Sequence, residues 1–296
     1  MIPFIQNWSQ GRYGFSRVII TILLMIIAFI AGNLPLLWIM ESRKVNSIPA
    51  LNDLLGFEGL LMLQVLPFVT VLGTLFFLIP KVHASTWKHW LHAREKLDFR
   101  RILEGFMLWA ILLLFFFGVD LLLNPTAFEW NFEAWPFIKA LLLLAVLLPI
   151  QVLVEELIFR SFALQGFMTA SRSAIVSIVF SACLFGAMHA GNPEVQEHGP
   201  LLLVVYALMG VFLSVITFLD QGIELAFGFH LANNLINAVL VTSNDLVFQV
   251  PAIFRTKALT MDISSSLMLL VGLALFFTIA HRRYRWQTIA MFKKYR

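Results

Sequence analysis

The chain has 296 residues, of which 60% are hydrophobic and 13% are charged. Soluble domains carry about 45–50% apolar and about 25% charged residues. This composition, with a mean hydropathy of +0.86, excludes a domain that folds alone in water, a basic nucleic-acid-binding domain and a disordered tail. The single cysteine, Cys183, excludes an intramolecular disulfide framework and a metal site built on paired cysteines.

Apolar segments of about 20 residues, long enough to cross the hydrocarbon core as helices, recur eight times along the chain. We therefore predict an all-α, polytopic membrane protein with about eight transmembrane helices, in which residues 1–296 form a single integral membrane domain. The predicted spans are 18–40, 59–79, 102–123, 137–167, 173–190, 200–219, 223–242 and 265–280.

Lysine and arginine are enriched in the cytoplasmic loops of membrane proteins. The segments 81–101 and 281–296 are basic, whereas the segments 124–136 and 191–199 contain glutamates and no lysine or arginine. We therefore predict that the N and C termini are both cytoplasmic. Within the first basic segment, residues 87–97 are predicted to form a surface helix whose tryptophans face lipid.

Three ionisable residues lie within six positions of the fourth predicted span: Glu155, Glu156 and Arg160. Each charge near the bilayer centre costs about 2.5–3.5 kcal/mol on insertion scales, so a compensating contact is expected. Glu156 and Arg160 are four residues apart with the acid first, which favours an ion pair. Glu155 lies about 100° away around the helix and has no such local partner. The spacing therefore predicts a structural role for Glu156 and Arg160, and it leaves Glu155 available as a general base.

Two further polar patterns lie in the fifth and seventh predicted spans. Phe185 and His189 are four residues apart, so the phenyl ring can pack on the imidazole. His230, Asn234 and Asn237 form a polar stripe on one helix face, which we expect to face a water-filled cavity or another polar surface.

The three patterns can meet inside the membrane. At about 1.5 Å per residue, Glu155 and His189 both lie roughly 22–27 Å from the turn that connects their spans, and His230 can reach the same depth. Each pattern also has a purely structural interpretation: a buried ion pair, a packed histidine and polar contacts between helices. Their joint occurrence in three spans favours a functional site.

The ordered set Glu-Glu-x3-Arg, Phe-x3-His and His-x3-Asn resembles the type II CAAX prenyl endopeptidase family, also called the CPBP family of CAAX proteases and bacteriocin-processing enzymes. The resemblance covers residues 147–240, which we interpret as a CPBP-like catalytic core. It implies an intramembrane endopeptidase in which the acid and the histidine of the first two motifs activate water, while the third motif stabilises the oxyanion. These catalytic positions are Glu155, His189, His230 and Asn234. The remaining motif positions are Glu156, Arg160 and Phe185.

The resemblance leaves the cofactor open. Members of the family are commonly called metalloproteases, and Glu155, His189 and His230 could hold Zn2+ or another divalent metal with an open position for water. A metal-free mechanism based on the glutamate is equally compatible with the same residues. The chain has no His-Glu-x2-His zincin motif and no Gly-x-Ser-x-Gly nucleophile elbow, so other common protease chemistries are not indicated.

The compact loops favour a bacterial member in the inner (cell) membrane, with an active site open to the cytoplasmic side. The expected partners are the lipid bilayer and a substrate that is a membrane-associated peptide or a membrane protein, and no nucleic acid is expected. Two alternatives remain: a non-catalytic membrane scaffold or immunity factor, and a proton-coupled transporter, because intramembrane Glu, His and Asn residues also build proton paths.

Overall fold

The computed structural model describes residues 4–256 and 263–294, and these are predominantly helical. Two π-helical segments, Leu78–Val82 and Leu157–Ala163, continue the second and fifth α-helices, and Phe4–Gln10 and Pro125–Ala127 form 3-10 turns. The α-helices are α1 (Phe15–Arg43), α2 (Ile48–Phe77), α3 (Trp87–Leu91), α4 (Phe99–Leu123), α5 (Ala134–Glu156), α6 (Leu164–Ser171), α7 (Ala174–Met188), α8 (Pro193–His198), α9 (Leu201–Asp220), α10 (Glu224–Leu240), α11 (Ile263–Tyr284) and α12 (Thr288–Lys294).

All eight predicted spans coincide with helices of this structure. Within the two described ranges, six helices are long and apolar enough to cross a membrane: Phe15–Arg43, Ile48–Val82, Phe99–Leu123, Ala134–Ser171, Leu201–Asp220 and Ser264–Tyr284. The other two, α7 and α10, have 15 and 17 residues and fall short of the roughly 20 residues that a full crossing needs. The six long apolar helices therefore identify an integral membrane protein. The predicted number of eight membrane crossings remains a prediction.

A small β-sheet was not predicted. It joins β1 (Phe128–Trp130), β2 (Val241–Thr242) and β3 (Phe254–Thr256) in the order β1-β3-β2, antiparallel between β1 and β3 and parallel between β2 and β3. Aromatic side chains favour such pairing, and the Trp130 and Phe254 rings meet with centroids 5.5 Å apart. The sheet ties the loop after α4 to the loop after α10.

Small residues allow two helix pairs to approach closely, as is common where lipid gives helices no reason to associate through the hydrophobic effect. A Cβ on Gly228 of α10 would overlap the carbonyl oxygen of Ile102 and would lie 2.9 Å from the backbone nitrogen of Phe106 in α4. A Cβ on Gly210 of α9 would lie 2.9 Å from the Cα of Ala182 in α7. These contacts fix α10 against α4 and α9 against α7.

Both described ends of the chain lie at the same end of the helix bundle. The backbone N–H of Phe4 donates to Gln221 Oε1 at 2.9 Å, and Trp286 Nε1 donates to Asp220 Oδ1 at 3.1 Å. Arg94, from the basic segment between α3 and α4, also pairs with Asp220. Both described ends of the chain and one basic segment therefore contact the turn between α9 and α10. We call this region the basic end of the bundle.

The predicted surface helix at 87–97 is wrong in length and orientation. The helix ends at Leu91, and Trp90 is only 3% exposed. The Trp90 indole donates Nε1–H to the Tyr13 hydroxyl at 2.8 Å and stacks on Phe162. An indole can be buried in this way because its N–H finds a partner, so Trp90 packs onto the protein and does not face outward as predicted.

Candidate active site

The end of α5 carries a chain of charged and polar groups that reaches α10. Arg160 Nη1 lies 3.4 Å from Glu156 Oε1, and both side chains are completely buried. The same Glu156 oxygen lies 2.8 Å from His230 Nδ1. The predicted Glu156–Arg160 ion pair is therefore present, and it also holds His230, a contact between residues too distant in sequence for spacing to indicate.

Glu155 has a local partner, contrary to our expectation. Gln151, one turn earlier in α5, donates Nε2–H to Glu155 Oε1 at 3.0 Å. The other oxygen, Oε2, lies 3.5 Å from His230 Nε2 and accepts no hydrogen bond within the described part of the chain. The sequence prediction took account of charged partners only. A neutral amide such as that of Gln151 can also donate a hydrogen bond to a carboxylate.

The π-helical segment after α5 positions Arg160. Its guanidinium lies 4.2 Å from the centroid of the Phe185 ring, a cation–π contact. The segment is tied to α7, because Ser181 Oγ donates to the carbonyl oxygen of Phe159 at 2.6 Å. π-Helical segments are rare and frequently lie at functional sites.

His189 lies at the C-terminal end of α7. Its Nδ1 lies 2.7 Å from the carbonyl oxygen of Phe185. A carbonyl only accepts, so Nδ1 carries the proton and Nε2 of the neutral ring keeps its lone pair. The Phe185 and His189 rings meet with centroids 4.7 Å apart, as their spacing predicted. Phe185 also contacts the His230 ring at 5.8 Å, and through Phe185 His189 joins the cluster, without a direct hydrogen bond to Glu155 or His230.

One residue that the sequence did not single out packs on the His189 ring. Tyr206 of α9 stacks on the imidazole with centroids 4.0 Å apart and planes 20° apart. The Tyr206 hydroxyl donates to Glu194 Oε1 at 2.5 Å, and Asn192 Nδ2 donates to the same oxygen at 2.9 Å. The available signal was a tyrosine inside an otherwise apolar span, which requires a polar partner when it is buried.

Asn234 follows His230 by one turn on α10 and is half-buried. Its Oδ1 accepts a hydrogen bond from Asn233 Nδ2 at 3.3 Å. The third residue of the predicted stripe, Asn237, is exposed and donates Nδ2–H to the Asn233 carbonyl oxygen at 2.8 Å. The stripe therefore runs from a buried end at His230 to an exposed end.

The predicted metal ligands do not form a metal site in this arrangement. Among the residues that the structure describes, no group of three His, Cys, Asp and Glu side chains could hold a metal ion. Glu155 and His230 are in contact, but His189 is held by the Phe185 carbonyl and the Tyr206 ring. The donor set thus does not fit a bound Zn2+.

Comparison with known proteins relates the segment that carries these residues to a protease family. Residues 136–236 match the family described as type II CAAX prenyl endopeptidase Rce1-like, so the resemblance predicted from the motifs is confirmed. At the level of the family, the match supports a CAAX-type intramembrane protease. The matched segment overlaps the predicted core 147–240 and contains Glu155, His189, His230 and Asn234.

A relative is found in Bacillus subtilis (strain 168). The uncharacterised protein YyaK is 30% identical over 162 residues, which cover 54% of each chain. The match therefore spans about half the length of this curated relative. No solved structure matches the chain.

Proposed function

We propose that this protein is an intramembrane endopeptidase that hydrolyses a peptide bond in a membrane-associated peptide or a membrane protein. The observation that carries the proposal is the contact between Glu155 and His230, 3.5 Å apart and buried within the family-matching segment. The fully buried Glu156–Arg160 pair supports this contact by holding the other nitrogen of His230.

In the proposed reaction, Glu155 accepts a proton from water while the water oxygen attacks the substrate carbonyl carbon. His189 assists through Nε2, the nitrogen left with a lone pair by the hydrogen bond from Nδ1. The carbonyl oxygen becomes the oxyanion of a tetrahedral intermediate. When that intermediate collapses, the carbon–nitrogen bond breaks and the proton is delivered to the leaving amine. General acid–base catalysis of this kind contributes about 10²- to 10⁴-fold.

His230 and Asn234 are proposed to stabilise the oxyanion. Because Nδ1–H of His230 is engaged by Glu156, only Nε2 can act. Nε2 becomes a donor when it receives, from the facing Glu155 oxygen, the proton that Glu155 has taken from water, and it returns this proton when the intermediate collapses. Asn234, one turn further along the same helix face, supplies the second donor. Such preorganised donors are usually the largest single contribution to catalysis of acyl transfer.

We further propose that the site opens toward the cytoplasmic side of a bacterial inner membrane. The support is the basic end of the bundle, where Arg94 pairs with the buried Glu224. His230 lies six residues beyond Glu224 on α10, which is about 9 Å deeper into the bundle. Basic segments mark the cytoplasmic side.

The test begins with substrate discovery. Membranes from cells that express the wild-type chain or Glu155→Gln are compared for new peptide N termini, and the peptide found is then presented to the purified proteins in proteoliposomes. We expect Glu155→Gln and His189→Ala to lose at least about 10²-fold in kcat while remaining folded. Glu58→Gln is the matched control, because Glu58 is another membrane-span carboxylate, paired with Lys139 at 2.5 Å, and it should retain activity.

Full activity of Glu155→Gln would overturn the proposal. Substrate flux that persists in proteoliposomes without any cleavage would favour a transporter. A cellular protection phenotype that survives Glu155→Ala would favour the non-catalytic scaffold or immunity factor. Vesicles of both orientations, offered a membrane-impermeant form of the peptide, decide from which side the site is reached.

A further inference from the structure

A second chain of hydrogen bonds enters the site from α4. Trp109, which is 1% exposed, donates Nε1–H to Asn233 Oδ1 at 3.2 Å. Asn233 then donates Nδ2–H to Asn234 Oδ1 at 3.3 Å. Neither Trp109 nor Asn233 belongs to the motifs indicated by the sequence. Together they connect the buried indole ring of α4 to Asn234 of α10, the residue proposed to donate to the oxyanion.

The indole determines which way both amides face. An indole N–H can only donate, so it must meet the oxygen of the Asn233 amide and not its nitrogen. The Asn233 nitrogen then faces Asn234 and must meet the oxygen of that amide. Asn234 Nδ2 makes no hydrogen bond in the described part of the chain, so its two donors are available to a substrate.

The indole itself has little freedom to turn. Trp109 stacks on Phe229 with centroids 4.2 Å apart and meets Phe276 edge-on at 6.3 Å. Phe229 immediately precedes His230 in α10, so the residue that pins the indole is adjacent to the proposed partner of Asn234. Aromatic pairs of this kind add about 0.5–1.5 kcal/mol beyond the area they bury.

We infer that Trp109 and Asn233 are positioning residues that orient the Asn234 amide so that its N–H groups, and not its oxygen, face the reacting carbonyl. This inference rests on the proposed function, in which Asn234 donates to the oxyanion. A reversed amide would present an acceptor to a developing negative charge and would repel it, and removal of one oxyanion donor lowers kcat by about 10²- to 10³-fold.

Asn233→Asp tests the orientation through its pH profile. When protonated, the carboxyl introduced by this substitution still accepts from Trp109 and donates to Asn234 Oδ1. When ionised, it only accepts, so Asn234 must turn to donate to it. The kcat ratio of variant to wild type should therefore be near one at low pH. It should fall about 10²-fold as the pH is raised, with KM changed less than about threefold.

Trp109→Phe removes the directing donor and should lower kcat about five- to tenfold, the effect of one ordinary hydrogen bond. Two matched controls separate this effect from general damage. Asn33→Asp makes the same amide-to-acid change in α1, where Asn33 donates to the Phe29 carbonyl at 2.9 Å. Trp90→Phe removes another buried indole donor. Both controls should keep the wild-type kcat and pH profile.

An independent readout uses the side-chain amide signals of Asn234 in 15N-asparagine-labelled protein in lipid nanodiscs, assigned with Asn234→Ser. These signals should shift in Trp109→Phe, should shift with pH in Asn233→Asp, and should be unchanged in both controls. If the amide signals do not move, or if they move while kcat stays constant, the positioning role is overturned although the protease proposal stands. If Glu155→Gln remains active, the protease proposal fails and the kinetic role of Asn234 with it.

Discussion

Glu156→Gln should destabilise the protein strongly, because it removes the counter-charge of Arg160. The two groups are 3.4 Å apart and both side chains are fully buried. At this distance an ion pair is worth about 5 kcal/mol with an effective dielectric constant of about 20. Loss of one partner of a buried pair costs about 3–5 kcal/mol in folding free energy. Since the neighbouring Glu155 offsets part of the charge, we expect a loss near the lower end, about 3 kcal/mol.

The assay is unfolding by SDS in mixed micelles, followed by tryptophan fluorescence and extrapolated to zero denaturant. Two comparisons isolate the charge. Glu155→Gln should lose less than about 1 kcal/mol, because a glutamine keeps a polar partner for Gln151. The double variant Glu156→Leu with Arg160→Met should recover most of the loss, because replacing both members of a buried ion pair with apolar residues is often neutral or stabilising.

A wild-type unfolding free energy for Glu156→Gln would refute this reasoning. The reasoning would also fail if Glu155→Gln lowered the free energy of unfolding as much as Glu156→Gln does. Both glutamates would then stabilise the fold, and neither would be set apart for chemistry.

Three further outcomes are expected. Tyr206→Leu removes the ring stacked on His189 and should lower kcat about tenfold with little change in KM. Tyr206→Phe keeps the stacked ring, and its kcat should stay within about threefold of the wild-type value. The peptide-cleavage assay distinguishes the two variants. Gly228→Ala forces a Cβ into the backbone of α4 and should cost about 1–3 kcal/mol by SDS titration. Gly118→Ala, where a Cβ meets nothing within 4 Å, should be neutral or stabilising by up to about 1 kcal/mol. Burial lowers the pKa of His83 below its usual 6.5, so the folded protein favours the neutral ring. The free energy of unfolding should therefore fall as the pH drops below about 6.5. The midpoint of SDS unfolding, measured as a function of pH, checks this.

The parts of the structure that depend on local spacing could be predicted from the sequence. Long apolar segments indicate helices because the hydrocarbon core offers no water to hydrogen-bond the backbone, and a helix pairs these groups internally. All eight predicted segments are helical. The Glu156–Arg160 pair and the Phe185–His189 contact follow from a spacing of four residues on one helix. These predictions require only the geometry of a single element.

The parts that depend on contacts between distant segments could not be predicted. Nothing local indicates that His230 Nδ1 meets Glu156, or that the Trp109 indole reaches Asn233, because these contacts exist only after the helices have packed. The partner of Glu155 was missed for another reason: Gln151 is local, but it is neutral. The three short strands were missed because two- and three-residue segments carry almost no periodic pattern.

The π-helical segment Leu157–Ala163 has a consequence for how this chain tolerates length changes. A π-turn holds one more residue than an α-turn over about the same rotation, so this segment absorbs one extra residue without changing how the helix faces before and after it. Deletion of one residue there would convert the wide turn into an ordinary α-turn. It would leave the two glutamates in place, and Gln165 after the segment would still face the carbonyl oxygen of His89, to which it donates. Deletion of one residue elsewhere in this span would instead rotate one half by about 100° relative to the other. The loss of a single codon should therefore be tolerated best at the π-helical segment.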